Sequence, residues 1–539
     1  MGYQVDMAVR TCEMWTPSQV RQNAIHDQTA SPADDATGTL VRQDTTPAKL
    51  RSPSKERLAL LVPVASIVFG AKLVVIGLLG SPTPFLDQWE GEAAKLYAPY
   101  QRGTLSFADI MAPHNEHCIL PTRVISLIHL EMAGEWDTRL EMIFGAIVHT
   151  ALITLLTALL LPLVTRRRRL LTACFIAILF ALPIGYENTL WGFQSQLYFT
   201  LLFGVASLAA IATARPFSLR WIGGLAAGLL SSLSFATGVA TLLTAGILVS
   251  LQLATNTRKH SRPEFAAVTV ILTSAAAVTL LVASTTVPNS NPRTLVQGFL
   301  MLVTPAVVGL VPAIGYCLHV VVNRPETSDR AWIVVGLTGW IPIQLLLIAY
   351  GRGVVFAVRY SDIILLIYPV GLVAVFALSD IASESRFGRY ATQGAVTWLF
   401  VVIAVLGAAG GYVSALGAID WNKAAHQQTV NLRTYFATGN VDQLRAKGAH
   451  NFDLSFRHSE RQAEILRDPQ VRAILPPDIR PSDADNATAR SRMWLKGALA
   501  GHTASAVHFL LSTGPILLGV GVSLFFAIAA RRVLSGEPA

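Results

Sequence analysis

LALLVPVASIVFGAKLVVIGLLG, residues 58–80, runs directly into SPTPFLDQWEGE, residues 81–92, and the change of character at residue 81 sets the reading of the whole chain. The first stretch is long and apolar enough to cross bilayer hydrocarbon as a helix. The second crowds acids and a tryptophan where that helix would leave the membrane. Similar apolar runs recur at 139–164, 170–183, 197–214, 219–235, 238–254, 265–284, 295–322, 331–350, 361–379, 393–416 and 505–530. The chain therefore reads as an all-α polytopic membrane protein with about twelve transmembrane helices. The third, fifth and sixth runs are short, and FATG at 235–238 is the small-residue turn that divides the fifth from the sixth. Composition agrees, since 52% of the 539 residues are hydrophobic and 14% charged, with a mean hydropathy of +0.49; this excludes a soluble multi-domain protein.

Orientation follows from lysine and arginine in short loops. With the N-terminus cytoplasmic, Lys49, Arg51, Lys55 and Arg57 lie inside, and so do Arg166–Arg169, Arg215, Arg220, Arg258, Lys259, Arg262, Arg324, Arg330, Arg386, Arg389, Arg531 and Arg532. Both termini are then cytoplasmic. The net charge of +9 is largely this topological signal, so no nucleic-acid partner is implied. Cys12, Cys118, Cys174 and Cys317 are scattered, with neither a disulfide framework nor zinc spacing.

Residues 1–57 read as a disordered cytoplasmic tail, 58–416 as a transmembrane domain of about eleven helices with a large external loop at 81–138, 417–504 as a small α-rich external domain, 505–530 as the last transmembrane helix and 531–539 as a short cytoplasmic tail. Within 417–504, Val441–Lys447 and Ser459–Leu466 are helix-like, and Pro476, Pro477 and Pro481 punctuate the remainder of the segment. No phosphate-binding loop or dinucleotide glycine fingerprint is present, so nucleotide-driven chemistry has no support.

Chemistry-bearing residues gather at the outward boundary. Asp87, just past the first span, suits a general base that takes a proton from an acceptor hydroxyl, with Glu90 and Glu92 the next acids; a solvated helix cap is the plainer reading. The tetrapeptide HNEH supplies His114, Glu116 and His117, bracketed by Pro113 and Pro121. It could bind a divalent metal, contact a phosphate or orient sugar hydroxyls. PIGYENTLWGFQSQ, 183–196, sets Glu187, Trp191, Gln194 and Gln196 among aromatic faces, as a sugar ring or an interfacial belt would both want. Arg352, Arg359 and Tyr360 lie near the ninth and tenth spans, and arginines on that side ask for a partner: a lipid phosphate, or Asp362 in an internal pair.

With these residues the chain resembles the GT-C class of polytopic glycosyltransferases. The resemblance is carried by Asp87 in FLDQWEGE, a long first external loop, the outward Arg359–Tyr360 pair in VRYSD, and a C-terminal external domain. It is also similar to a group of bacterial membrane proteins, themselves of unassigned mechanism, with motifs like APHNEHCILPTR (112–123), YENTLWGFQSQ (186–196) and DPQVRAILP (468–476). Many GT-C enzymes carry two adjacent acids in the first loop, whereas here Asp87 is followed by Gln88.

The resemblance implies transfer of a sugar from a polyprenyl-phosphate-linked donor to a glycan, lipid or protein acceptor, at the outer face of a bacterial inner membrane and amid membrane lipids. Asp87 or Glu90 would be catalytic. His114, Glu116, His117, Glu187, Trp191, Gln194 and Gln196 would bind substrate, and Arg352, Arg359 and Tyr360 the phosphate. No cofactor is required, and a divalent metal is compatible but not obligatory. A lipid-linked polysaccharide polymerase or ligase is the alternative that Arg433, Arg457, His458 and Arg461 would suit. A polytopic transporter is the other, against which stand the collection of charges at the boundary and the lack of an internal repeat.

Overall fold

The computed structural model describes residues 53–534 apart from 116, 285–290, 384–385, 387 and 446–451. Of the expected tails, residues 1–52 and 535–539 lie outside this set. Among the described residues the regular structure is helical, and the one isolated bridge joins His114 and His117.

Eleven helices are long and apolar enough to cross a membrane among the described residues: Glu56–Leu79, Thr138–Leu163, Arg166–Leu190, Gly192–Thr213, Ala236–Ala254, Arg262–Ala283, Pro292–Asn323, Ala331–Arg352, Val358–Ser383, Gly388–Thr438 and Ala500–Leu534. The chain is an all-helical integral membrane protein. The expected count of about twelve falls by one at 219–235, which forms a helix of 14 residues, Leu219–Ser232. At about 1.5 Å per residue that helix is roughly 21 Å long, short of the ~30 Å hydrocarbon core. It nevertheless runs back along the helix Ser195–Thr213. Ser231 Oγ donates to the carbonyl of Thr200 at 2.9 Å, and Arg220 donates to the carbonyl of Ala209 at 3.3 Å near the other end.

The second departure concerns residue 416, where a span was expected to give way to a separate domain. The helix Gly388–Ala404 instead passes through a wide turn, Val405–Gly411, straight into the helix Tyr412–Thr438. Glycines at 407, 410 and 411 loosen the winding there without a proline to break it. A run of 51 residues is far longer than a bilayer needs, so its C-terminal part stands clear of the bundle.

There it meets the segment 81–136. Trp89, Leu96 and Trp136 from the first loop share one core with Leu432, Leu466 and Ile474, and Trp136 N–H donates to the carbonyl of Ile474 at 2.7 Å. Arg480–Glu135 and Arg461–Glu90 ion pairs of 2.6 and 3.1 Å lie around it. The two large inter-span segments thus form a single helical cap. Within it, Val441–Leu444 is a short turn and Ser459–Arg467 a helix. The opposite end of the first span is basic: Arg166 and Arg532 both pair with Glu56, at 2.9 and 2.7 Å.

The first and last spans, Pro53–Leu79 and Ala500–Leu534, touch backbone to backbone. A Cβ on Gly70 would sit 2.6 Å from Leu518 N and 2.8 Å from Gly514 O, whereas one on Gly77 would meet nothing nearer than 3.9 Å. Small residues at such crossings let apolar helices gain packing that lipid cannot supply. Gly70→Leu is expected to cost about 1–3 kcal/mol and lower the thermal midpoint of the detergent-solubilised protein. Gly77→Leu should leave it nearly unchanged, and equal midpoints for the two variants would refute this account of the crossing.

Candidate functional site

The chain leaves the first span through SPTPFLD and turns sharply at Leu86, whose φ of +51° is unfavourable for a leucine. The turn is held by Leu86 N–H donating to the carbonyl of Leu454 in the cap, at 3.4 Å. It presents Asp87 half-exposed at the head of the wide helix Trp89–Tyr97. Facing it, HNEH forms a tight reversal in place of a helix. His114 N–H donates to His117 O at 2.7 Å and His117 N–H to His114 O at 3.0 Å, with Asn115 at φ +52°. Glu116 lies outside the described residues.

The reversal sends the two imidazoles to different neighbours. His114 packs edge-on to Phe193, at 5.3 Å between ring centroids, and its Nε2 is 3.9 Å from the Asp87 carboxylate, within ion-pair range but beyond a hydrogen bond. It is 4% exposed, and neither ring nitrogen has a hydrogen-bond partner among the described residues. His117 stacks on Phe235 at 4.0 Å, and its Nδ1 accepts the backbone N–H of Ala236 at 3.3 Å, which assigns the proton to Nε2. The His114 imidazole, followed by Arg457 and Arg359, holds Asp87 below the usual carboxylate range against the opposing effect of burial. Burial, followed by Arg352, His114 and Arg359, keeps His117 well below its ordinary value, so it stays neutral. Asp87, His114, His117, Arg352 and Arg359 therefore share one electrostatic neighbourhood.

Arg359 is held from two sides. Glu187 accepts its backbone N–H at 3.1 Å and its guanidinium at 2.5 Å, while Asn188 Nδ2 donates to its carbonyl at 2.8 Å. The internal pair that the sequence left open to Asp362 is thus made by Glu187. Asp362 accepts instead from Asn188, at 2.7 Å. The guanidinium also lies over the neighbouring Tyr360 ring at 5.3 Å. Beside it opens a groove of about 770 Å³, including its open mouth, lined by His117, Phe235, Val282, Leu347, Arg352 and Tyr360 among others. Its walls are mostly apolar, with Arg352 and His117 among the few polar groups. That lining suits a ligand with an extended apolar part and one anionic group.

Other expected site residues go elsewhere. Glu90 pairs with Arg461 at 3.1 Å and Lys95 at 3.8 Å, joining the first loop to the cap. Glu92 turns inward and is 1% exposed, accepting from Gln88 Nε2 and Ser126 Oγ, both at 2.8 Å. Gln88 Nε2 also donates to Glu141 at 3.1 Å, so one amide bridges two buried carboxyls. Trp191, Gln194 and Gln196 are 3–4% exposed in the wall behind His114, and Trp191 Nε1, Gln194 Oε1 and Gln196 Oε1 have no hydrogen-bond partner among the described residues. They contribute polar atoms to the interior and no open surface. No three His, Cys, Asp or Glu side chains among the described residues gather closely enough to hold a metal ion.

A polar cluster inside the bundle escaped the sequence reading, which placed charge at the boundary. Lys72 Nζ donates to Thr189 Oγ1 at 2.7 Å, and His149 Nε2 lies 3.9 Å from Asp362, with all four side chains buried. The available signal was one lysine and one histidine, each alone in an apolar run. No protein-family model, curated protein or solved structure matches the chain.

Glu92 makes the cap sensitive to pH. Burial pushes its carboxyl from 4.5 up to about 7, against hydrogen bonds from Gln88 and Ser126. A carboxyl raised on folding binds protons preferentially in the folded state, so its stabilisation is complete below pH 4.5 and lost as pH rises through about 7. Thermal midpoints between pH 4.5 and 8 should fall more steeply for the wild type than for Glu92→Gln, whose neutral amide Ser126 can meet by turning its hydroxyl. Parallel slopes would show that Glu92 does not titrate in this way.

Proposed function

We propose that the chain is a membrane glycosyltransferase of the GT-C type, moving a sugar from a polyprenyl-phosphate donor to a glycan, lipid or protein acceptor. The observation that carries this reading is an accessible, ionised Asp87 beside His114 and within the electrostatic reach of Arg359, next to a neighbouring apolar groove that His117 and Arg352 line. A prenyl chain fits the walls, a phosphate fits the guanidinium, and an acceptor hydroxyl can approach Asp87 from the open side. Loop charges favour the outer face of a bacterial inner membrane for this end of the bundle, with both termini cytoplasmic.

The reaction is a single displacement. Asp87 takes the proton of the acceptor hydroxyl as its oxygen bonds to the anomeric carbon. The carbon–oxygen bond to the lipid phosphate breaks, its electron pair leaves on the phosphate, and the configuration inverts. Arg352 receives the growing phosphate charge, and Arg359, held by Glu187, adds donors of fixed direction. Asp87 is ionised at neutral pH and accepts the proton directly, and His114 extends that ionisation to lower pH. No step calls on a cofactor, and a divalent metal is not required.

The test supplies radiolabelled polyprenyl-phosphate glucose, galactose, mannose and arabinose to the protein in nanodiscs, with a membrane lipid and glycan extract as acceptor. Asp87→Asn should reduce transfer about 10²–10⁴-fold. Because Asp87 is held below the usual carboxylate range, the wild-type rate should stay flat down to that range before its acid limb appears. Full activity of Asp87→Asn, or no transfer from any of these donors, would sink the reading.

A further inference from the structure

We infer that the cap carries a second site, a saccharide-binding cleft between the helix Ala98–Arg102 and the segment 467–492, which takes the acceptor as a glycan. The acceptor role rests on the function proposed above; the cleft itself does not. Two adjoining hollows, of about 650 and 840 Å³ with their open mouths included, share Gln470 and Arg492 as lining and so lie side by side.

Beside the larger hollow lies the most telling side chain. Gln101 is 3% exposed and lines the hollow, yet neither its amide nitrogen nor its amide oxygen has a hydrogen-bond partner among the described residues. Burying a primary amide with all its bonds unmade is costly, and an apolar residue would pack there more stably. Such a group beside an open cleft is explained by a ligand whose hydroxyls complete it once the side chain turns outward.

The remaining lining says which ligand. Arg102 bonds Asp468, Arg492 bonds the Gln470 side-chain oxygen, and Arg472 bonds both oxygens of Asp483 at 2.5 and 2.6 Å while lying 5.7 Å from the Phe436 ring. These are planar groups, fixed by their neighbours, that offer donors and acceptors side by side. A phosphate wants donors alone, and Asp483 and Asp485 would repel it. A cation would meet Arg472 and Arg492. Vicinal hydroxyls both donate and accept, and planar amides, carboxylates and guanidiniums can bond two of them at once, so a neutral saccharide matches the set.

Position connects the cleft to the transfer site. From Trp89 to Arg102 the chain is helical without a break, so Gln101 lies about 20 Å along a rigid element from Asp87. A glycan seated in the cleft and laid along the cap can bring one end to Asp87.

The experiment titrates full-length protein in nanodiscs with fluorescently labelled maltohexaose, α-1,6-mannohexaose and β-1,4-galactohexaose, alongside a hexameric polyuronate and a short polyphosphate. At least one neutral hexasaccharide should bind. Gln101→Leu and the double variant Gln470→Ala, Arg492→Ala should each weaken it at least tenfold. Gln101→Leu should keep or raise the thermal midpoint, which separates lost contacts from lost fold. No neutral hexasaccharide binding, binding of the anionic probes alone, or undiminished binding by the cleft variants would overturn the proposal. Saccharide binding without sugar transfer from any donor would overturn the glycosyltransferase reading and leave the cleft standing.

Discussion

The grip of Glu187 and Asn188 on Arg359 is the contact on which the rest of the site depends. A partly buried guanidinium is expensive unless its charge is answered and its donors are used. Glu187 does both, taking a side-chain and a backbone N–H from the same residue, while the next residue, Asn188, bonds the carbonyl of Arg359. Three spans are tied together through one short helix, Tyr186–Leu190. Below the grip, Asn188 passes the connection to Asp362 and Thr189 passes it to Lys72. A Cβ at Gly185 would overlap the Asp362 carboxyl, so the only residue without one stands there. Gly185, Glu187, Asn188 and Thr189 thus serve one purpose. Their polarity belongs to the scaffold that aims Arg359.

That scaffold gives meaning to the acids after the first span. Asp87, Glu90 and Glu92 lie within six residues, and each enters a different environment. Asp87 faces open space beside His114 and stays ionised. Glu90 is committed to Arg461 of the cap. Glu92 is sealed behind, sharing the Gln88 amide with Glu141, and its carboxyl is raised toward neutral pH. Like groups acquire unlike environments through burial and neighbours, which is how one loop supplies both an accessible carboxylate and a structural acid. The missing acidic neighbour at position 88 becomes intelligible as well, because a glutamine can donate to two carboxyls where an acid would repel them.

The helical membrane class was legible because apolar runs of about twenty residues have few other uses in a chain. Two features were less visible for identifiable reasons. Leu219–Ser232 is apolar enough to read as a span, yet its length is set by the turn at 233–238, which packs under His117. The long helix through 405–411 shows in sequence only as glycines, which signal an ending as readily as a loosened turn. Among site residues, Asp87, the histidines and the arginines stood out because charge beside an apolar span needs a reason. Glu187 was visible too, although its partner was not, because pairing across 172 positions is a property of packing. Lys72 and His149 were hidden as single letters inside apolar text, and Gln101 because an amide looks ordinary until its partners are sought in three dimensions.

The two arginines are not equivalent. Arg359 is already neutralised by Glu187, so what it offers an incoming anion is a fixed direction of donors more than net charge. Arg352 is the last residue of the helix Ala331–Arg352, where the carbonyl ends of the backbone favour a cation and disfavour an anion. A phosphate drawn to Arg352 would therefore be held against part of the helix's own field. Binding of that kind is firm only while the apolar tail rests in the groove and supplies the remaining attraction. On the proposed reading this imbalance favours turnover. A lipid phosphate that has lost its sugar carries more negative charge, sits against the same carbonyl ends, and is retained chiefly by its tail, so the groove that admits the donor also lets the spent carrier slide out.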